Sequence, residues 1–149
     1  MSPAVLLPLA LVFAAGCFMS LQAPTNAILA KAGGSPIIAA LISFAVGTLA
    51  LLLVSLVSGP RPGAASFSGV PAYAWLGGLY GAFYVAIAAY AAPRIGVASL
   101  ITMAIAGQLV MAIAIDHFGA LGLMREPVTL VKVAGAALVL AGVVMVRRG

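Results

Sequence analysis

Five long apolar stretches alternate with short segments rich in glycine, proline and charged residues. Each stretch is about 20 residues long, the length that an α-helix needs to cross the roughly 30 Å hydrocarbon core of a membrane. The period-two alternation of a membrane β-barrel is absent. The pattern therefore predicts an all-α membrane protein of five transmembrane helices, at residues 4–30, 36–58, 71–92, 97–115 and 127–146.

Local signals support these boundaries. Ser35 is a candidate N-cap, and Pro36 suits the first position of a helix. The longest connection, Gly59 to Val70, reads as a flexible loop within one transmembrane domain of residues 1–149. Ala14 to Cys17 faintly resembles a lipoprotein cleavage site, but the apolar run continues past Cys17 and no soluble domain follows, so we expect this segment to be the first membrane helix.

The composition excludes most soluble functions. Of the 149 residues, 65% are hydrophobic and only 6% are charged, whereas a soluble domain has about a quarter of its residues charged. The chain therefore lacks the polar residues that a soluble enzyme needs for its surface, and we expect lipid to surround it. Its seven Lys and Arg residues stand singly and without interleaved aromatics, so we expect no nucleic-acid partner.

Motifs for catalysis or cofactor binding are missing from the sequence. One histidine, one cysteine and two separated acids form no metal-ligand cluster. Nucleophilic triads and phosphate-binding glycine loops are also absent. We therefore expect no metal, no cofactor and no enzymatic activity.

Five spans place the two termini on opposite sides of the membrane. We call side A the side of the N-terminus, with Arg61, Arg125 and Lys132 near it; side B has four basic residues, Lys31, Arg94, Arg147 and Arg148. Orientation normally follows a clear excess of Lys and Arg in the cytoplasmic loops, and this excess is small. Two interpretations stay open: a single orientation with side B inside, or insertion in both orientations with antiparallel pairing.

The few polar residues within the spans are the candidates for a binding site, because polar groups in hydrocarbon are costly. Gln22 and Asn26 share a helix face, and Pro24 between them predicts a kink or a break in the first helix. Residue counting places Gln22, Ser43 and Tyr84 roughly 11–12 Å from side B, with Gln108 near the midplane.

Each candidate also has a simpler interpretation. Gln22, Asn26 and Gln108 would hold helices together by hydrogen bonds, and Ser43 would bond its own backbone. No acid lies in the middle of a span. Asp116 and His117, which end the fourth span, are a possible proton-handling pair or an ordinary solvated helix end.

A set of short motifs resembles one family along the whole chain. In order, the motifs are Gln22-Ala-Pro-Thr-Asn26-Ala-Ile-Leu29, Gly34-Ser-Pro36, Ser43-Phe44-x-x-Gly47-Thr48, Trp75-x-Gly77-Gly78, Pro93-Arg94-Ile-Gly96, Gly107-Gln108-Leu109 and Asp116-His117-Phe118-Gly119. The chain is similar to the YdcZ-like family of short bacterial membrane proteins in the drug/metabolite transporter superfamily. The resemblance implies an inner-membrane location and a five-helix half-transporter. Pro24-Thr25 departs from the family pattern.

The sequence and the resemblance together predict a secondary transporter that works as an antiparallel homodimer of ten helices. We expect it to bind a small metabolite or a hydrophobic or cationic compound against Gln22, Asn26, Ser43, Tyr84 and Gln108. Rocking of the two subunits would expose the site alternately to each side. A channel-like pore and a non-transporting subunit that stabilises a partner are the alternatives.

Overall fold

A computed structural model describes residues 3–58 and 63–148. Within these residues the chain is helical and contains no strand. Its α-helices are α1 (Pro3–Gly33), α2 (Pro36–Ser58), α3 (Gly77–Ile95), α4 (Val97–Phe118) and α5 (Leu130–Arg148). By length and composition, five helical segments are apolar enough to cross a membrane, and one of them combines α3 with the short 3₁₀ turn at Ala72–Leu76. The predicted number and order of membrane helices are confirmed.

The helices belong to two compact units, each described by itself. The first lies within residues 1–94 and contains α1, α2 and α3 up to Arg94. In this unit α1 packs along α2, and Phe44 of α2 lies against Gly81 of α3, where a Cβ atom would be 3.1 Å from the ring. The glycine therefore leaves room for the Phe44 ring against α3.

The second unit lies within residues 95–149 and consists of α4, α5 and their connection. Gly119 ends α4 in the left-handed conformation with φ of 59°, and its N–H donates to the carbonyl of Asp116. The chain then folds back onto the end of α4, where the N–H of Glu126 also donates to the Asp116 carbonyl at 2.8 Å. The connection is thus anchored on the last turn of α4.

The first helix is continuous through Pro24, so the predicted break at Gln22–Asn26 is wrong. Pro24 has no N–H for the carbonyl of Ser20, one turn earlier. The Thr25 hydroxyl donates to the carbonyls of Leu21 and Gln22 at 3.0 Å and 2.9 Å. The hydroxyl thus bonds carbonyls in the turn that contains Pro24, although not the Ser20 carbonyl itself.

Several helix ends differ from the predicted spans. The third helix passes through Pro93, the predicted end, and stops before Gly96, whose φ is 79°. The fifth helix begins at Leu130 and not at Pro127, because the Thr129 hydroxyl accepts the N–H of Lys132 and caps the first turn. The Ser35 cap is confirmed: its hydroxyl accepts the N–H of Ile37 at 3.2 Å.

Candidate functional site

Two helices of the first unit present faces of small residues with the same spacing. On α1 the face has Ala23, Asn26, Ala27 and Ala30; on α3 it has Val85, Ala88, Ala89 and Ala92. Positions i, i+3, i+4 and i+7 lie on one side of a helix. Most of these residues are buried. The core of the unit is therefore built on alanine, and Asn26 is its polar member.

Asn26 is the most unusual buried residue of the described chain. It is 3% exposed, and its amide nitrogen Nδ2 has no hydrogen-bond partner among the described residues. Leaving a buried donor unsatisfied costs about 1–3 kcal/mol. Buried polar groups are almost always paired in folded proteins, so such an exception points to a partner that binds from outside the chain.

The other predicted site residues have different environments. Gln22, Ser43 and Tyr84 are half-buried in the first unit, and Gln108 is exposed in the second. Among the described residues, none of their side chains makes a hydrogen bond. The helix-gluing hydrogen bonds expected as an alternative are therefore not present within the described chain, and neither is the bond from Ser43 to its own backbone.

The observed helix ends revise the predicted depths. Gln22 and Tyr84 each lie eleven residues from the side-B end of their helices, at Gly33 and Ile95. At 1.5 Å per residue this is about 16 Å, and Gln108 is equally far from the start of α4. Ser43 is seven residues from the start of α2, and Asn26 seven from the end of α1, about 10 Å for each. The polar groups therefore occupy two levels along their helices.

A cavity of about 520 Å³ lies at the side-B end of the first unit, and we call it the side-B cleft. Its wall is formed by the last turns of α1 and α3 and the first turn of α2. The residues that line it are Ala27, Ala30, Lys31, Gly34, Pro36, Ala89, Tyr90, Pro93 and Arg94. Asn26 is adjacent to Ala27 in sequence and one turn from Ala30. The alanine faces of α1 and α3 thus open into this cleft.

The rim of the side-B cleft is cationic. The Arg94 guanidinium lies 3.7 Å from the centroid of the Tyr90 ring, and it also donates to the backbone carbonyl of Tyr90. Such stacking orients an arginine while leaving other N–H groups available to a ligand. Lys31, also on the rim, makes no hydrogen bond or ion pair with the described residues. Residues 1–94 contain no Asp or Glu, so no carboxylate of this unit can neutralise either charge.

A second cavity, of about 400 Å³, lies between α4 and α5 in the second unit, and we call it the side-A groove. Asp116 and Lys132 line it together with apolar residues of both helices. The Lys132 ammonium forms an ion pair with Glu126 at 3.0 Å. The side chain of Asp116 has no hydrogen bond within the described chain.

The structure gives Asp116 and His117 different environments. The Nδ1 atom of His117 accepts the N–H of Val128 at 3.3 Å, and its carbonyl accepts the Nε–H of Arg125 at 3.0 Å. This imidazole is therefore engaged in holding the α4–α5 connection. Asp116, in contrast, lines the side-A groove, and its carboxylate has no hydrogen bond within the described chain.

The sequence reasoning missed the side-B cleft. Lys31 served there only as a signal of orientation, Arg94 served as such a signal and as part of a family motif, and Tyr90 was not among the predicted site residues. A usable signal was present, because Tyr90 and Arg94 are four residues apart on one helix face and no acid occurs before residue 116. Among the described residues, no three His, Cys, Asp or Glu side chains are grouped closely enough to hold a metal ion.

Comparison with known proteins agrees with the five apolar helices found among the described residues. Residues 7–145 match a family described as "Putative inner membrane exporter, YdcZ". No curated protein and no solved structure matches the chain. The family match covers nearly all of the five apolar helices and agrees with the resemblance found in the sequence motifs. The chain belongs to the YdcZ family and is a multi-pass inner-membrane protein of the transporter type.

Proposed function

We propose that this protein is a secondary transporter, not an enzyme, that carries a small metabolite or a hydrophobic or cationic compound by alternating access. The observation that supports a binding site is the buried Nδ2 atom of Asn26, which has no hydrogen-bond partner within residues 3–58 and 63–148. Asn26 is 3% exposed, so a ligand group reaches it only when the helices that cover it move apart. A substrate acceptor, or a polar group of a second copy, would satisfy the amide in one state of the transport cycle.

The other predicted side chains extend this site. Gln22 and Tyr84 lie between two and three turns deeper than the rim of the side-B cleft, at the level along their helices that Gln108 has on α4. Their polar side-chain atoms make no hydrogen bond within the described chain. In a membrane interior, polar groups face a partner or a water-filled path. We therefore assign Gln22, Asn26, Ser43, Tyr84 and Gln108 to the substrate path.

We further propose that the transporter is an antiparallel homodimer. Among the described residues no large side chain is fully buried, and the small core consists mostly of alanine. A single copy therefore offers little interior to enclose a substrate. Two copies related by an axis in the membrane plane have the symmetry with which many transporters alternate access. The small difference in basic residues between the two sides is compatible with insertion in both orientations.

Coupling to protons would use Asp116. Its carboxylate faces the side-A groove, and no acid lies in the middle of a span. Movement of substrate without ion coupling is the alternative, and it needs no further residue.

The Asn26→Leu variant tests the substrate site. Leucine keeps the branched shape of asparagine in a somewhat larger side chain without a polar group, so we expect folding to be retained. Binding should be lost, as measured by the thermal shift of purified protein with ethidium, tetraphenylphosphonium and neutral amino acids. Ser20→Ala is the matched control, because the Ser20 hydroxyl bonds only the Gly16 carbonyl of its own helix. If Asn26→Leu unfolds the protein or leaves every ligand shift intact, the amide has a structural role.

The orientation in the membrane has its own test. Reporter domains fused after Gly149, one active only in the cytoplasm and one only in the periplasm, should both give signal if the chain inserts in both orientations. Adding two lysines beside Arg147 should then bias the population towards cytoplasmic signal. Signal from only one compartment in the unmodified chain would exclude the antiparallel homodimer.

A further inference from the structure

The side-B cleft has the chemistry of an anion site. Two basic side chains stand on its rim, no acidic residue is present in residues 1–94, and the cavity holds about 520 Å³. In the other unit Lys132 is paired with Glu126. The positive charge of the cleft is therefore not neutralised by its own unit. Two cations on the rim of one cavity are stabilised by an external anion.

The geometry of Arg94 favours phosphate over other anions. The planar guanidinium is held against the Tyr90 ring at 3.7 Å and is anchored by one bond to the Tyr90 carbonyl. An arginine fixed in this way presents a fork of N–H donors that matches phosphate oxygens. Lys31 adds a second point charge from a different helix, since it belongs to α1 and Arg94 to α3. The two side chains together can approach a phosphate from two directions.

The location indicates where the phosphate comes from. The cleft lies at the ends of three membrane helices, where lipid headgroups are found, and its remaining wall is largely alanine, proline and glycine. Basic pockets between membrane helices bind anionic lipid headgroups. A soluble phosphate ester that enters the same cleft would use the same two cations.

We propose that the side-B cleft binds the phosphate group of an anionic ligand through Lys31 and Arg94, with the headgroup of an anionic phospholipid as its main source. This site is independent of the transport function proposed above, because it requires neither Asn26 nor a second copy. Phosphate binding would hold the last turns of α1 and α3 together across the cleft.

The test uses the full chain purified in a neutral detergent. Phosphatidylglycerol or phosphatidylcholine is titrated into the micelles in separate samples, and sn-glycerol 1-phosphate is the soluble probe. Thermal stability is followed at each concentration. We expect phosphatidylglycerol to stabilise the protein and phosphatidylcholine to have little effect. Stabilisation by glycerol phosphate at comparable concentration would identify a soluble ester as the source and would support the same site.

The matched variants are Lys31→Gln/Arg94→Gln and Arg147→Gln/Arg148→Gln. Both remove two charges from side B, but Arg147 and Arg148 line a smaller cavity of about 320 Å³, with no aromatic residue among its lining side chains. The concentration of phosphatidylglycerol for half-maximal stabilisation should rise about 30-fold in the first variant and less than about 3-fold in the second. Equal losses in both variants would show diffuse charge attraction, and no loss in the first would remove the site; either result overturns the proposal.

Two single variants keep the test valid if the first double variant does not fold. Lys31→Gln changes an exposed side chain without a partner in the described chain, and it should weaken phosphatidylglycerol binding about 5-fold. Arg94→Lys keeps the charge but loses the planar stack on Tyr90, so it should weaken binding by a similar factor. Unchanged binding in both single variants would contradict the proposal.

Discussion

The side-B cleft and the side-A groove place a lysine in opposite situations. Lys31 stands on the rim of the cleft in a unit without acids, whereas Lys132 in the groove is paired with Glu126 at 3.0 Å. The connection beside the groove is also fixed by backbone bonds to Asp116 and by the Arg125 bond to His117. The side-A groove thus neutralises its lysine within its own unit, whereas the side-B cleft has two cations and no acid in its own unit.

The difference shows that a count of charges describes these regions poorly. Lys31 and Lys132 contribute equally to any measure of orientation or net charge. Only the three-dimensional neighbours separate a lysine that holds a connection from one that is available for binding. The same holds for the two turns that follow helices: Gly34 and Gly119 both have positive φ, but they differ in what surrounds them.

The turn glycines give the largest expected difference between the two regions. A Cβ atom on Gly119 would lie 3.2 Å from the Cβ of Arg125 and 3.3 Å from the carbonyl oxygen of Leu123. At Gly34 the described residues leave open space. The left-handed conformation costs alanine about 1–2 kcal/mol at either position, and crowding adds about 1–3 kcal/mol at Gly119 alone. We therefore expect Gly119→Ala to destabilise by about 3 kcal/mol and Gly34→Ala by about 1 kcal/mol.

Thermal unfolding of the two variants in the same detergent measures this difference. The helical circular dichroism signal reports folding, and the wild-type chain is the reference. A similar loss at the two positions would mean that the α4–α5 connection is not held closely against Arg125, and that the two regions are equally open.

The helices were predictable for a physical reason. A membrane requires about 20 apolar residues per crossing and internally satisfied backbone groups, so length and hydropathy are enough to locate the spans. Their ends were less predictable. Proline was expected to interrupt α1 and close α3, but the Thr25 hydroxyl bonds carbonyls beside Pro24, and Gly96 ends α3 after Pro93.

The site was predictable only in part. The positions of Gln22, Asn26 and Gln108 follow from their being polar residues in apolar helices. That Asn26 is buried while Gln108 is exposed depends on which helix faces are covered. Hydropathy does not encode this information, because nearly every face of these helices is apolar. The side-B cleft likewise depends on the ends of three helices meeting, which no single stretch of sequence displays.

The ion pair of the side-A groove gives the smallest expected effect. Glu126 is 68% exposed and Lys132 is 32% exposed at the side chain, and such pairs contribute about 0.2–1 kcal/mol. Glu126→Gln should lower the stability of the purified protein by about 0.5 kcal/mol in low salt, and the loss should disappear in 1 M salt, where the screening length is about 3 Å. Lys31→Gln, measured in the same detergent without anionic lipid, should leave stability unchanged because Lys31 has no partner in the described chain.

A loss of about 2 kcal/mol or more for Glu126→Gln that persists in high salt would mean that the pair is shielded from water in the folded protein. The side-A groove would then be covered by another surface. The contrast between the paired Lys132 and the unpaired Lys31 would in that case depend on how the protein assembles, and not on the sequence of each unit.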